Sequence, residues 1–225
     1  MTSRQFILNF HGIGTPPAHI DADERPYWIG SAQFEAIVDM VSAHRCAPQV
    51  KWTFDDGNIS DLTIAAPALA ARRLSGAFFI LTGRLKTPGY LGGADIQALL
   101  DMNMAVGLHG ADHIDWRKAD ADRLKLETIH ARDDLANIIG RPVTEVAVPF
   151  GAYDRRVMAH LVRSGFDRIF TSDGGPTFSR ARICSRMSVR DDMAMSTIVD
   201  FIENRETVRR KIRRLASCTL RRYII

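Results

Sequence analysis

Three short stretches carry residue types that can do chemistry. Thr53-Phe54-Asp55-Asp56-Gly57 sets two carboxylates side by side, where an apolar run beginning at Val50 meets a glycine. Adjacent side chains on extended backbone point to opposite faces, so one carboxylate can hold a cation while the other handles a proton. By itself Asp-Asp-Gly also fits a plain turn. His109-Gly110-Ala111-Asp112-His113 places two imidazoles four residues apart. On a helical turn that spacing aims both rings at one ion. Joined to Asp56, the pair makes a two-histidine, one-carboxylate set with open coordination positions, which suits a divalent ion that activates water. The third stretch, Val148-Pro149-Phe150-Gly151-Ala152-Tyr153-Asp154, leaves another short apolar run.

The elements that must position these residues alternate regularly. Continuous apolar runs predict strands at Phe6–Phe10, Val50–Phe54, Ala77–Leu81, Met104–Leu108, Val146–Val148 and Arg168–Thr171, with a last one near Ile183–Val189. Helical periodicity separates them: Phe34, Ile37, Val38 and Val41 first, then Ile64 to Leu74 behind a Ser60 or Asp61 cap. The clearest amphipathic helix covers Ala121–Ile139 and stops at Gly140; others cover Asp154–Arg163 and begin near Asp191. Strands that are apolar throughout belong to a parallel sheet covered by helices. There is no G-x-G-x-x-G and no phosphate loop. The expectation is an α/β fold, a distorted (β/α) barrel with about seven parallel strands in a single domain. In such a barrel the strand C-termini converge on one mouth, and His11, Asp55, Asp56, His109, Pro149, Phe150 and Asp173 all fall at those ends.

With 225 residues, 46% hydrophobic and 25% charged, the chain is long enough for one full core and ordinary in composition. No secretory leader or membrane-spanning run is expected, and Cys46, Cys184 and Cys218 are too scattered for a disulfide framework, so a cytoplasmic address is expected. The net charge of +4 is uneven: residues 203–225 hold eight Lys/Arg against two Glu, or +6, which leaves −2 for the rest. A nearly neutral body gives no reason to expect nucleic acid as a partner. The barrel is expected over residues 1–204 and a basic C-terminal helix or tail over 205–225.

The order and spacing of the three stretches, over residues 5–190, resemble the polysaccharide deacetylases, metal-dependent carbohydrate esterases that include the nodulation deacetylase. Carried over residue by residue, the resemblance implies that Asp55 is the general base for the attacking water. It implies that Asp56, His109 and His113 bind one divalent ion, zinc first, with iron, cobalt, nickel or manganese also accommodated. The Phe150 N–H would help stabilise the oxyanion, a role that needs no particular side chain.

Three positions depart from the family pattern. Gly110 stands where many members have Ser or Thr to steady the loop. Ala147 stands where many have an arginine that pairs with the catalytic Asp, in an Ala-Val-Pro-Phe-Gly run similar to the exopolysaccharide-associated subgroup. After His160 the chain has no histidine, so the family's late histidine acid is missing, and Arg186 on the last strand is a poor proton donor. His11 is nominated as the acid instead, with Asp173 as its partner, a second acid or a substrate contact. Tyr27, Trp28 and Trp116 near the mouth suit either sugar stacking or packing at the core edge. His19, His44 and His130 read as surface residues, His160 as surface or packing, and Cys184 as a buried small hydrophobe.

In the tail, Val208, Ile212, Leu215 and Thr219 form a narrow stripe among arginines. Such a helix suits an anionic membrane surface or another chain, and it also suits a solvated helix that covers part of the barrel, which is the simpler expectation. The expected function is removal of N-acetyl groups from an amino-sugar glycan or oligosaccharide precursor of an exopolysaccharide-type pathway, in the cytoplasm or at the inner face of the membrane. The alternatives are a deacylase of a small non-sugar amide, and a turnover-deficient glycan-binding or assembly subunit.

Overall fold

The structure, a computed structural model, describes residues 3–18 and 20–224. His19 lies outside them. Six strands run in parallel and in sequence order: β1 (Arg4–Phe10), β2 (Val50–Phe54), β3 (Gly76–Leu81), β4 (Ala105–Gly110), β5 (Glu145–Ala147) and β6 (Arg168–Thr171). Short β7 (Thr177–Phe178) lies antiparallel on β1. The predicted last strand forms but breaks at Arg186. Its first half, β8 (Ile183–Ser185), pairs with β6, and its second half, β9 (Met187–Ser188), pairs with β1. Splitting between the two edges closes the sheet into the expected distorted barrel.

Outside the barrel the apolar faces of the strands meet the helices α1 (Ser31–Ser42), α2 (Ala66–Ala71), α3 (Gly93–Asp101), α4 (Ala121–Lys125), α5 (Ala131–Ile139), α6 (Arg155–Arg163) and α7 (Met195–Ile202). Phe10, Phe54 and Phe78 stack across three adjacent strands, with centroids 5.4 and 4.6 Å apart. The lumen is sorted along its axis. Ile7, Phe79, Ala147, Phe170 and Cys184 make an apolar floor. Two residues further along their strands, Asn9 and Arg186 stand above it. A Cβ on Gly107 would lie 2.6 Å from the Phe79 ring, so that glycine makes room for the floor's largest ring.

Two helix expectations change. The predicted Ser60 or Asp61 cap is absent, because Ser60 Oγ accepts from Ile13 N–H at 3.2 Å instead. The amphipathic stretch from Ala121 to Ile139 is helical throughout, but Leu126–His130 forms one wide π turn between α4 and α5. That turn rotates the face, leaving Leu126 exposed and turning Glu127 and Thr128 inward.

Candidate metal and catalytic site

Asp55 extends β2 by one residue, with its N–H donating to Phe10 O at 2.9 Å. Asp56 follows at φ +78. This left-handed step is costly for a residue with a side chain, and it turns the second carboxylate away from the first. Each acid then meets different partners.

Asp55 is met by Arg186 from the break in the last strand. Arg186 Nη1 donates to Oδ1 at 2.7 Å and Nη2 to Oδ2 at 2.8 Å, and Asn9 Nδ2 donates to Oδ2 at 2.9 Å. Arg186 is fully buried, and its guanidinium carbon stands 5.4 Å from the Phe79 ring centroid and 5.8 Å from that of Phe170. Burial alone would raise the Asp55 pKa. The Arg186 charge and its hydrogen bonds outweigh it and hold the carboxyl well below the usual range. The gap expected at Ala147 is therefore filled from elsewhere in the chain: the arginine is present, and it comes from the barrel seam. Arg186 was legible only as a poor proton donor, because its service as a fixed cation depends on how the barrel closes.

Asp56 Oδ1 lies 3.5 Å from His109 Nε2 and 3.5 Å from His113 Nε2, and one ligand atom from each of the three residues falls within 4.8 Å of the others. Asp56 Oδ1 is buried with no hydrogen-bond partner among the described residues. Both rings are committed at their other nitrogen. His109 Nδ1 is 3.0 Å from Ala147 O, and a carbonyl only accepts, so Nδ1 carries the proton and Nε2 presents its lone pair. Burial pushes His109 down to about 4, against the pull of Asp55 and Asp56, which keeps it neutral. His113 Nδ1 faces Glu24 Oε1 at 3.3 Å. A neutral His109, a His113 oriented by Glu24 and an orphaned carboxylate oxygen fit a single divalent ion.

The two histidines are not on a helix as expected. His109 ends β4, and Gly110 at φ +105 and His113 at φ +55 swing the second ring back over the mouth. Glu127 does the work expected of a hydroxyl at position 110. Its Oε2 accepts from Ala111 N–H at 3.0 Å and Asp112 N–H at 3.2 Å, while Arg123 pairs with Oε1 at 2.9 Å. A Cβ on Gly110 would stand 3.0 Å from that carboxylate and 3.2 Å from Trp116, so glycine gives both side chains their place. The π turn that aims Glu127 leaves only a faint sequence signal, an apolar residue out of phase at Leu126.

The site opens into a cavity of about 330 Å³ lined by His11, Glu24, Tyr27, Asp55, Asp56 and Phe150, among others. His11 Nδ1 is buried without a hydrogen-bond partner among the described residues. Phe150, at φ +58 and largely exposed, lays its ring 4.3 Å from that of His113. Tyr27 and Trp28 both line the mouth, although Trp28 also packs flat against Gly12. Trp116 is fully buried behind Gly110 and belongs to the core. Asp173 does not serve the cavity: it is enclosed, accepting from Tyr153 Oη at 2.6 Å, Thr171 Oγ1 at 2.9 Å, Arg221 at 2.7 Å and Arg222 at 3.0 Å. His160 packs on Thr128 at 2.8 Å, His44 faces Glu203 at 3.5 Å, His130 is exposed and Cys184 is buried.

A barrel with two histidines, an aspartate and a separately held second aspartate at its mouth defines a class of metal-dependent hydrolases. The family model described as polysaccharide deacetylase matches residues 43–169, more than half of the chain. The chain belongs to the polysaccharide deacetylase family and is by class a carbohydrate de-N-acetylase. Its fold is similar to the Streptococcus pyogenes deacetylase PplD, with a TM-score of 0.75 at 16% identity over 90% of this chain and 99% of that one. It is also similar to IcaB from Ammonifex degensii (0.69, 20%, 88% and 97%) and to a de-N-acetylase from Aggregatibacter actinomycetemcomitans (0.73, 14%, 88% and 100%).

Proposed function

We propose that this protein removes N-acetyl groups from an amino-sugar glycan or oligosaccharide precursor of an exopolysaccharide-type pathway, using zinc held by Asp56, His109 and His113. The observation that carries the reading is the division of the Asp-Asp pair into one carboxylate among the histidines and one held by Arg186. The exopolysaccharide assignment draws on the Ala147–Gly151 run and on the fold shared with IcaB. Cytoplasmic action draws on three unpaired thiols.

A divalent ion at this set supplies Lewis acidity, polarising the acetamide oxygen and making a water easier to deprotonate. Asp55 orients that water and takes its proton as the carbonyl is attacked. Arg186 and Asn9 keep Asp55 ionised and fixed in place to accept that proton. The Phe150 N–H faces the developing oxyanion. His11 delivers a proton to the departing amine, and its unpartnered Nδ1 supports that choice. Tyr27 at the rim supplies a surface for a sugar ring.

The test is mass spectrometry of N-acetylated chito-oligosaccharides after incubation with zinc-loaded protein. Loss of an acetyl mass that disappears in Asp55→Asn is expected. Acetyl loss from small non-sugar amides alone would move the substrate to that class. No acetyl loss from any of them, with metal bound, would favour a glycan-binding subunit.

A further inference from the structure

The C-terminal helix α8 (Val208–Thr219) and the π turn Leu220–Ile224 sit on the body the wrong way round for a covering element. One side is tied down. Arg214 donates to Glu206 at 2.8 Å, Cys218 is buried, and Arg221 and Arg222 converge on the enclosed Asp173. The other side carries the apolar stripe, and it faces out. Val208 is 74% exposed, Ile212 62%, Leu215 48% and Tyr223 69%. Exposed Arg209 and Arg213 flank the stripe on one side and Lys211 on the other.

We propose that residues 208–223 dock this protein on an anionic membrane surface, with the apolar stripe entering the headgroup region and the flanking cations reaching the lipid charges. Charge selects this occupant. Arg214, Arg221 and Arg222 are paired with carboxylates, but exposed Arg209, Lys211 and Arg213 border the stripe, so a second copy would bring the same charge to the same patch, whereas anionic lipid satisfies stripe and flanks together. Long cationic side chains beside a shallow apolar face can extend to the headgroups. No helix among the described residues is long and apolar enough to cross a membrane, so the contact is one of lying on the surface. The helix is also coupled to the barrel mouth. Asp173, which holds Arg221 and Arg222, follows Ser172, and Ser172 lines the metal-site cavity. Docking therefore fixes the mouth relative to the membrane. This inference goes beyond the hydrolytic reading and does not depend on it.

The full chain is sedimented with vesicles of phosphatidylglycerol and phosphatidylcholine, and with phosphatidylcholine alone, beside the double variant Ile212→Glu, Leu215→Glu. Partitioning should fall at least about tenfold when the anionic lipid is omitted, and by a similar factor in the double variant at unchanged melting temperature. Equal pelleting with both vesicle types, or no effect of the double variant, overturns the proposal. So does a dimer in sedimentation velocity that the double variant dissolves, which would assign the stripe to a second copy.

Discussion

Arg186 grips Asp55 with both ends of its guanidinium, 131 residues away in the chain and wholly inside the barrel. Removing one member of a buried pair leaves the other charge uncompensated, at about 3–5 kcal/mol. Arg186→Gln should therefore be destabilised by that order in chemical denaturation. It should also shift the pH profile. Without the cation the Asp55 pKa rises, so the acid limb of kcat/KM should move to higher pH. Arg186→Lys should recover part of the stability and move the limb back. An unmoved limb in a folded Arg186→Gln would show that Asp55 is not the titrating base.

Glu127 holds the metal loop by its backbone and touches no ligand atom. Outer partners of this kind are worth about 10–100-fold in metal affinity. Glu127→Ala should weaken zinc binding by that factor in competition with a chromogenic chelator, with Glu127→Gln in between. Affinity equal to wild type in Glu127→Ala would remove the positioning role.

The two adjacent aspartates should separate cleanly. Asp55→Asn should retain zinc while losing about 10²–10⁴ in kcat, whereas Asp56→Asn should lose the metal. Chelation of the wild type should lower the melting temperature by a few degrees and zinc should restore it, since a ligand at 100 times its Kd adds about 2.7 kcal/mol. The two readouts are bound zinc by elemental analysis and turnover on the same samples.

His11 can be isolated through the leaving group. An amine needs a proton as it departs, while an activated phenol does not. His11→Ala should slow N-deacetylation by about 10²-fold, yet leave hydrolysis of an activated acetate ester nearly intact. Equal losses on both substrates would point to a role in packing against Tyr27, whose ring is 4.9 Å away.

Asp61 lies fully buried behind the site with both carboxylate oxygens unpartnered among the described residues. Burial, then the charges of Asp56 and Asp55, raise its pKa well above the ordinary 3.8. The folded state keeps this proton while the unfolded chain gives it up. Its contribution is thus intact below pH 3.8 and is lost progressively as pH rises toward the raised folded value. Asp61→Asn, similar in shape and always neutral, should stabilise the chelated protein at pH 7 by about 1–2 kcal/mol and reduce the fall in stability above pH 4. A melting temperature for the variant that tracks wild type across that range would show the carboxyl costs nothing.

Legibility followed the range of the interactions. The strands could be read because apolar runs are local, and the structure brings Asp56, His109 and His113 together at one mouth because each falls at the end of such a strand or in the loop after it. The helix expected under His109–His113 failed because left-handed steps at Gly110 and His113 do the same job, and only the glycine hints at them. Glu127 stayed hidden behind a π turn. Arg186 was visible but misjudged, since the partner it needs sits across the seam. The tail's stripe was plain in the sequence, but its outward direction depends on Asp173 being an anchor rather than part of the active centre.

The placement of Arg186 also has a meaning in time. Asp55 is made early and its partner late, and the guanidinium arrives only when the last strand has divided between β6 and β1. A nascent or C-terminally nicked chain that lacks residue 186 has Asp56, His109 and His113 and still leaves Asp55 unheld. Turnover therefore acts as an internal check on barrel closure, so loss of activity in truncated chains should precede loss of metal.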